Sequence, residues 1–284
     1  MVVQRATVAR DWRQYHWIFL ATAPHSGSTA LAQIVRTAPL GTTLNDKGEG
    51  HWIMPELSAP GVRWDPDLPV DYQKLRDVWS ARARRRNSNA KVVFDKSPSN
   101  LVRMRRLWEE FGGADGFASI ISLVRNPFVL LASRIKRMAP EAALIEGANI
   151  GSEFCCFLRE QSESIADMFA RLAELSDISK IQIRYEELVS RPAEQMRELT
   201  TQFPALAEAN PNALLKVKKL AEQPLEDKSA HALRYLTPLA LEVAHSVFCA
   251  SAQNLERFGY DPDPSITLEQ LKALAAKKSE VKLC

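Results

Sequence analysis

The segment at residues 17–31 constrains the fold of this chain more than any other stretch. Its first five residues, WIFLA, have strand character, and the turn at residues 24–29, PHSGST, leads directly into helix-compatible residues. The first amides of a helix have no intrahelical acceptor, and the helix dipole adds positive potential there. Hydroxyls on Ser26, Ser28 and Thr29 add donors, and the glycine between them lets the backbone approach an oxyanion. The segment therefore predicts a cradle for a nucleotide phosphate.

This turn differs from the common nucleotide-binding motifs. A Walker A loop needs two glycines and a Gly-Lys-Ser/Thr ending, and the dinucleotide fingerprint needs Gly-x-Gly-x-x-Gly. The turn at 24–29 has one glycine and no such lysine. An ordinary strand-to-helix connection with a capping Ser or Thr is the alternative interpretation of the turn taken alone.

A second segment, at residues 117–133, also joins a strand to a helix. The apolar run at 120–124 ends at Arg125, and Pro127 suits the first turn of a helix. Ser133 follows Arg125 by about two helical turns. Ligands of open α/β sheets bind at the carboxyl ends of the strands, where the fork of an arginine suits a phosphate. The alternative is an arginine paired with a surface carboxylate.

Apolar segments that alternate with helical ones predict an α/β fold with three layers, α/β/α, around a central parallel sheet. The predicted strands are residues 17–22, 91–95, 118–124 and 180–185, and the helices that follow them are 28–37, 98–111, 127–137 and 192–202. Further helices are predicted at 151–175, 238–257 and, in the tail, 267–279. We expect a single domain at 1–265 and a helical tail at 266–284.

In four places, in order and at similar spacing, the chain resembles the family of sulfotransferases that use 3′-phosphoadenosine-5′-phosphosulfate (PAPS). The turn at 24–29 is similar to the family's 5′-phosphosulfate loop, and Arg125-Asn-Pro with Ser133 is similar to its 3′-phosphate motif. The segment VFDKSPSNL at 93–101 resembles its strand ending in a lysine, and IRYEEL at 183–188 resembles its later strand exit. The resemblance spans about residues 15–262.

The resemblance implies a P-loop-NTPase-like sulfotransferase fold and an enzyme that moves a sulfuryl group from PAPS to a hydroxyl or amine, leaving PAP as the product. The acceptor would be a small molecule, a lipid or a glycan, and no metal is implied. The donor-binding residues would be His25, Ser26, Gly27, Ser28, Thr29, Ala30, Arg125, Ser133, Tyr185, Lys228 and Arg234.

Three residues are candidates for catalysis. Lys96 follows a buried strand at its carboxyl edge, and we expect it to stabilise the leaving phosphate. Glu49 lies between two glycines, and branches of the family have a Gly-Glu element at this point, so it is the first candidate base. His51 is the second, because its reference pKa suits base chemistry at neutral pH. Both could instead lie in a solvent-exposed loop.

The chain departs from the family pattern at His25, where a lysine or arginine is usual. Either His25 works protonated or another cation compensates, with Lys96 the first candidate and Lys47 the second. The Arg-Lys-Gly signature of the cytosolic branch is also missing, and Lys228 and Arg234 are candidate substitutes for it.

Composition excludes several classes of protein. A net charge of +3 over 284 residues is too small to indicate nucleic-acid binding. The four cysteines form no zinc-type spacing, and we expect reduced core residues in a cytoplasmic protein. No apolar stretch is long enough for a membrane span, and the start of the chain lacks the apolar core of a signal peptide. The oligomeric state, including a homodimer, stays open.

Two competing functions stay open as well. A divergent P-loop nucleotide kinase would bind ATP or GTP with Mg²⁺, and a non-catalytic nucleotide-binding module would account for His25. The acceptor is not identified by the sequence. Irregular stretches at 45–70 and 138–151 are expected to shape its pocket, with stacking by Trp52, Trp64 and Trp79.

Overall fold

Five parallel strands form one central sheet in the order β2-β3-β1-β4-β5. The strands are β1 (His16–Thr22), β2 (Gly41–Thr43), β3 (Val92–Asp95), β4 (Ala118–Val124) and β5 (Ser179–Arg184). This computed structural model describes residues 12–59, 61–141, 152–216, 222–263 and 265. The sheet confirms the predicted α/β class and parallel pairing.

The central strand β1 is buried on both faces. Trp17 and Phe19 point into one hydrophobic cluster, whereas Ile18 and Leu20 point into another on the opposite face. Successive side chains of a strand alternate between faces, so a continuous apolar run suits a strand covered on both sides. This burial explains why β1 has no polar residue between Trp17 and Ala21.

Helices cover both faces of the sheet. The larger cluster takes side chains from α3 (Tyr72–Arg86), α4 (Met104–Glu110), α5 (Pro127–Met138), α6 (Ser152–Glu174), α9 (Ser229–Leu233), α10 (Pro238–Ala250) and α11 (Ala252–Glu256). The smaller cluster takes side chains from α1 (Ser28–Thr37), α7 (Tyr185–Ser190) and α8 (Pro192–Gln202). The short helix α2 (Pro55–Ser58) and four 3₁₀ turns complete the described elements: Trp12–Gln14, Gly50–Ile53, Pro98–Arg103 and Pro204–Leu206.

The predicted strands agree with the structure to within one or two residues, but the edge strand β2 was not predicted. Its sequence, Gly-Thr-Thr, has no apolar residue, and it is a strand because it pairs with β3. The helix predicted at 98–111 is instead a 3₁₀ turn, Pro98–Arg103, followed by α4. Tyr185, expected to end a strand, begins α7.

The prediction of core cysteines was wrong. Cys155 is half-buried, and Cys156 and Cys249 are exposed. Phe154 and Leu158 are spaced for the buried face of α6, so the residues directly after Phe154 point away from the core. The fourth cysteine, like the predicted tail helix at 267–279, lies outside the described residues. Among the described residues, none of the helices is long and apolar enough to span a membrane.

The sequence predicted that Trp79 lines the acceptor pocket. In the structure Trp79 is instead fully buried in the larger cluster. Its ring packs against Trp17, Phe19 and Phe111.

We expect Trp79→Ala to lower the free energy of unfolding by about 3–5 kcal/mol, because it leaves a large cavity in the core. Urea denaturation should show this loss, and Trp52→Ala is the matched control. Trp52 is 44% exposed, and its replacement should cost about 1 kcal/mol or less. Equal costs for the two variants would contradict the assignment.

Candidate active site

The turn between β1 and α1 is tightly packed around Gly27. This residue has a φ of +89°, and a Cβ placed on it would lie 2.3 Å from the ring of Tyr185. Only glycine fits both constraints. The hydroxyl of Ser26 is fully buried and has no hydrogen-bond partner among the described residues. This hydroxyl can therefore accept or donate a further hydrogen bond at the turn.

Arg125 reaches this turn from the neighbouring strand. It follows β4, which pairs with β1, and its Nη1 donates to the carbonyl oxygen of His25 at 2.8 Å. Nη2 donates to the hydroxyl of Ser229 at 3.0 Å, and the guanidinium lies 4.1 Å from the centre of the Tyr185 ring. Burial lowers the pKa of Arg125, whose Nε also has no partner among the described residues. The turn and Arg125 therefore lie at one edge of the sheet, as the sequence predicted.

Tyr185 contacts both the turn at 24–29 and Arg125. Its ring lies next to both Gly27 and the Arg125 guanidinium, and its hydroxyl donates to the carbonyl oxygen of Glu226 at 3.2 Å. Burial raises the pKa of this phenol. Ser229, which sequence reasoning missed, is the first residue of α9, and no motif marked it.

Lys96 reaches the same turn from the other side. It follows β3, the second neighbour of β1, and its Nζ lies 3.1 Å from the Thr29 hydroxyl and 2.5 Å from Oε1 of Glu49. Only 4% of Lys96 is exposed. One buried ammonium therefore joins the turn to the Glu49 carboxylate, as expected if the two strands are neighbours.

Glu49 is held by its backbone and by its side chain. Asn45 bonds both its carbonyl oxygen and its amide, at 2.5 and 3.0 Å, and the Trp52 indole donates to Oε2 at 2.6 Å. Burial alone would raise the pKa of Glu49, but the charge and hydrogen bond of Lys96, with the Trp52 indole, hold it below its ordinary value. The carboxylate is therefore ionised at neutral pH.

Asp95 fixes the Glu49 loop to the end of β3. Its buried carboxylate accepts hydrogen bonds from the Gly50 amide at 2.6 Å and the Ser97 hydroxyl at 2.8 Å, and from Asn100 at 3.0 Å. Burial raises the pKa of Asp95 to about 6. Sequence reasoning missed this residue, although a carboxylate directly after the apolar residues 92–94 was a usable signal.

His51 is buried beside Glu49 and makes no ring hydrogen bond with the described residues. Its Nε2 lies 4.0 Å from Oε2 of Glu49. Burial lowers the pKa of His51 to about 4, with Glu49 opposing and Arg63 adding to the shift, so the imidazole is neutral at pH 7. Glu49 and His51 thus lie at a buried site rather than in a solvent-exposed loop.

The Glu49, His51 and Lys96 side of the site opens onto one large cleft of about 1520 Å³, whereas Ser26, Gly27, Arg125 and Tyr185 do not line it. Its lining includes, from the predicted set, His25, Thr29, Lys47, Glu49, His51, Trp52, Trp64 and Lys96. The stretch at 45–70 therefore shapes the cleft, as expected, whereas residues 142–151 of the second irregular stretch lie outside the described residues.

The remaining predicted residues are Ala30, Ser133, Lys228 and Arg234, and the structure gives the last three no contact with the turn at 24–29. Ala30 is buried in the first turn of α1, where its amide donates to the Gly27 carbonyl at 2.9 Å. Ser133 is half-buried on α5. Lys228 is exposed next to Ser229, and Arg234 is exposed at the end of α9, outside the cleft lining. Over the described ranges, His, Cys, Asp and Glu side chains form no group of three that could hold a metal ion.

Comparison with known proteins identifies the family. A sequence model of a protein family, described as the sulfotransferase family, matches residues 18–204, more than half of the 284-residue chain. The chain belongs to the sulfotransferase family, a class of transferases.

The solved structures to which the chain is similar include two sulfotransferase structures, both distant in sequence. Sulfotransferase STF9 from Mycobacterium avium is 13% identical with a TM-score of 0.49, and the match covers 87% of this chain and 78% of that one. The sulfotransferase domain of the Synechococcus PCC 7002 olefin synthase is 18% identical with a TM-score of 0.39, covering 81% and 93%. No curated protein sequence matches the chain.

The buried His51 makes a prediction about pH. The pKa of His51 is about 4 in the folded state, below the ordinary value of 6.5, so the unfolded chain takes up a proton here more readily than the folded protein. The free energy of unfolding is therefore unaffected by this group above pH 6.5 and decreases as the pH falls towards 4. We expect His51→Asn to flatten the pH dependence of the free energy of unfolding, by on the order of 2–3 kcal/mol between pH 7.5 and 4.5. Urea denaturation at both pH values measures the effect.

His245→Asn, at an exposed position on α10, is the matched control, and an equal flattening in this variant would contradict the assignment to His51. NMR titration of the imidazole protons provides a second readout. A His51 titration midpoint near 6.5 would show that the ring is not desolvated.

Proposed function

We propose that this member of the sulfotransferase family transfers a sulfuryl group from PAPS to a hydroxyl or amine of a small-molecule, lipid or glycan acceptor. The observation that carries the proposal is the position of Lys96. Its ammonium contacts Thr29 in the phosphate-binding turn and Glu49 in the adjacent loop. A donor bound at the turn and an acceptor bound beside Glu49 would therefore both lie next to the buried ammonium of Lys96.

The residues at the turn suit the donor. Gly27 and the unsatisfied Ser26 hydroxyl would hold the 5′-phosphosulfate, together with the first amides of α1. Arg125, with its free Nε, would bind the 3′-phosphate, with Ser133 and Lys228 as further donors. Tyr185 stacks on Arg125 and would orient it. PAPS, when bound, supplies an activated sulfuryl group with a phosphate as the leaving group.

The transfer forms a bond between the acceptor oxygen or nitrogen and sulfur, and it breaks the bond between sulfur and the bridging phosphate oxygen. The acceptor loses a proton, which Glu49 would take, and the leaving phosphate gains negative charge, which Lys96 would stabilise. Ionised Glu49 is ready to accept this proton. Because Lys96 lowers the pKa of Glu49, any shift of Lys96 towards the leaving phosphate would make the carboxylate more basic.

His51 is the alternative base. Its ring is neutral and has nitrogen atoms without partners among the described residues, so it could accept a proton or orient the acceptor. Its low pKa makes it the weaker candidate at neutral pH.

His25 is the observation that favours a non-catalytic module, because it stands where the family usually has a fixed cation. Lys96 contacts Thr29 of the turn and would replace that missing charge by moving from its ion pair with Glu49 towards the donor. Measurable turnover by the wild-type protein would exclude the non-catalytic alternative.

We expect PAP, the product, to raise the melting temperature of the protein by ligand linkage. Arg125→Ala should weaken PAP binding about 10- to 150-fold, since a charge-assisted hydrogen bond contributes about 1.5–3 kcal/mol. Isothermal titration calorimetry measures the affinity, and Arg85→Ala, an exposed arginine on α3, is the control.

A parallel titration with ATP and Mg²⁺ distinguishes the nucleotide-kinase alternative from the proposed sulfotransferase. Tighter binding of Mg-ATP than of PAP would support a kinase and contradict the proposal. Unchanged PAP affinity in a folded Arg125→Ala variant would remove Arg125 from the donor site.

Glu49→Gln should lower kcat for sulfuryl transfer about 10²- to 10⁴-fold while leaving PAPS affinity within about twofold, because the amide keeps the shape but cannot accept the proton. The assay follows transfer of ³⁵S from labelled PAPS to a panel of acceptors. His51→Asn is the comparison variant. If His51→Asn abolishes turnover and Glu49→Gln does not, the assignment of the base is reversed.

A further inference from the structure

Arg134 is a buried cation without a carboxylate partner in the described structure. It lies on α5, is only 5% exposed, and points towards α6. Nη1 bonds the side-chain and backbone oxygens of Gln161 at 3.1 and 3.3 Å, and Nη2 lies 3.2 Å from the sulfur of Met168. All of these partners are neutral.

A buried guanidinium in this environment is costly. Removing a charge from water without a counter-charge is strongly unfavourable, and neutral acceptors repay only part of that cost. Burial alone lowers the pKa of Arg134, to about 10, and no carboxylate offsets it, so the group is still charged at neutral pH. Burial also lowers the pKa of Arg103, but there Tyr72 and the carboxylate of Asp65 oppose the shift.

Arg134 lines the same cleft as the candidate active site. The wall formed by α5 and α6 contributes three arginines to that lining, Arg134, Arg137 and Arg171, against a single carboxylate, Asp167. Asp167 is already paired with Arg171 at 2.8 Å. This wall therefore presents unbalanced positive charge to the cleft.

The donor does not account for this charge if it binds as proposed. The turn and Arg125 are assigned to its phosphates, and Ser133 precedes Arg134 on α5. Adjacent residues of a helix point about 100° apart, so Ser133 can face the proposed donor site while Arg134 faces α6. The α5–α6 wall is left for the acceptor.

We infer that the acceptor carries an oxyanion, such as a carboxylate, that Arg134 binds on the α5–α6 wall, with Arg137 adding long-range attraction. The planar fork of an arginine matches a carboxylate or a sulfate ester with two parallel hydrogen bonds. The inference rests on the proposed function and narrows its substrate class to acidic acceptors. Neutral phenols and alcohols would leave the buried charge uncompensated.

The test uses pairs of probes that differ only in charge, with the full chain saturated with PAP. Methyl β-glucuronide with its methyl ester forms a sugar pair, and 4-hydroxybenzoate with its methyl ester forms an aromatic pair. Calorimetry of the wild type should show the acid binding at least about tenfold more tightly than the ester in one pair or both, and the pair with the larger preference identifies the scaffold. Equal affinities of acid and ester in both pairs would overturn the inference.

The variant Arg134→Met replaces the charge with an apolar chain of similar length. We expect unchanged PAP affinity, a melting temperature equal to or above that of the wild type, and loss of the acid preference to within about twofold. Arg85→Met is the matched control on an exposed helix surface. Retention of the acid preference in Arg134→Met would overturn the inference, and so would a drop in PAP affinity like that of Arg125→Ala.

A marked fall in the melting temperature of Arg134→Met would also overturn it, since it would reveal a structural counter-charge within the chain. Should Arg134→Met not fold, Arg134→Lys keeps the charge but not the fork and should reduce the wild-type preference several-fold; an unchanged preference would contradict binding by Arg134. Failure of PAP to bind the wild type would instead reject the proposed function, so the two failures are distinguishable.

Discussion

The site depends on the parallel pairing of β1 with β3 on one side and β4 on the other. Because parallel strands end at the same edge of a sheet, the residues that follow these three strands must meet there. Lys96 follows β3, Arg125 follows β4, and the turn at 24–29 follows β1. A change in the strand order would separate these groups, whatever their local sequence.

Close packing at this edge requires several charges to be buried together. Lys96 and Glu49 compensate each other directly, whereas Asp95 is satisfied by neutral donors, among them the Gly50 amide. Arg125 and Arg134 have no carboxylate within salt-bridge distance among the described residues. Buried charges without a counter-charge reduce the stability of a folded protein.

Part of the candidate site could be predicted from the sequence because strand exits have local signatures. An apolar run followed by a small-residue turn, or by Asn-Pro, marks where a strand stops and a helix starts, and α1 and α5 begin where predicted. Contacts that depend on distant segments had no such signature. Ser229 bonds Arg125 across 104 residues, and Trp79, expected beside the pocket, is a core residue because α3 packs its inner face against the sheet.

The sequence by itself determined the α/β class, the family resemblance, and the turn, lysine and arginine that end successive strands, because these follow from apolar periodicity and short-range backbone preferences. Only the tertiary structure decided that Lys96 lies between Thr29 and Glu49, that Asp95 clamps the Glu49 loop, and that Arg134 lines the cleft without a described carboxylate partner. The physical reason is that burial and counter-charges depend on which segments the sheet and its covering helices bring together, and no local pattern records that.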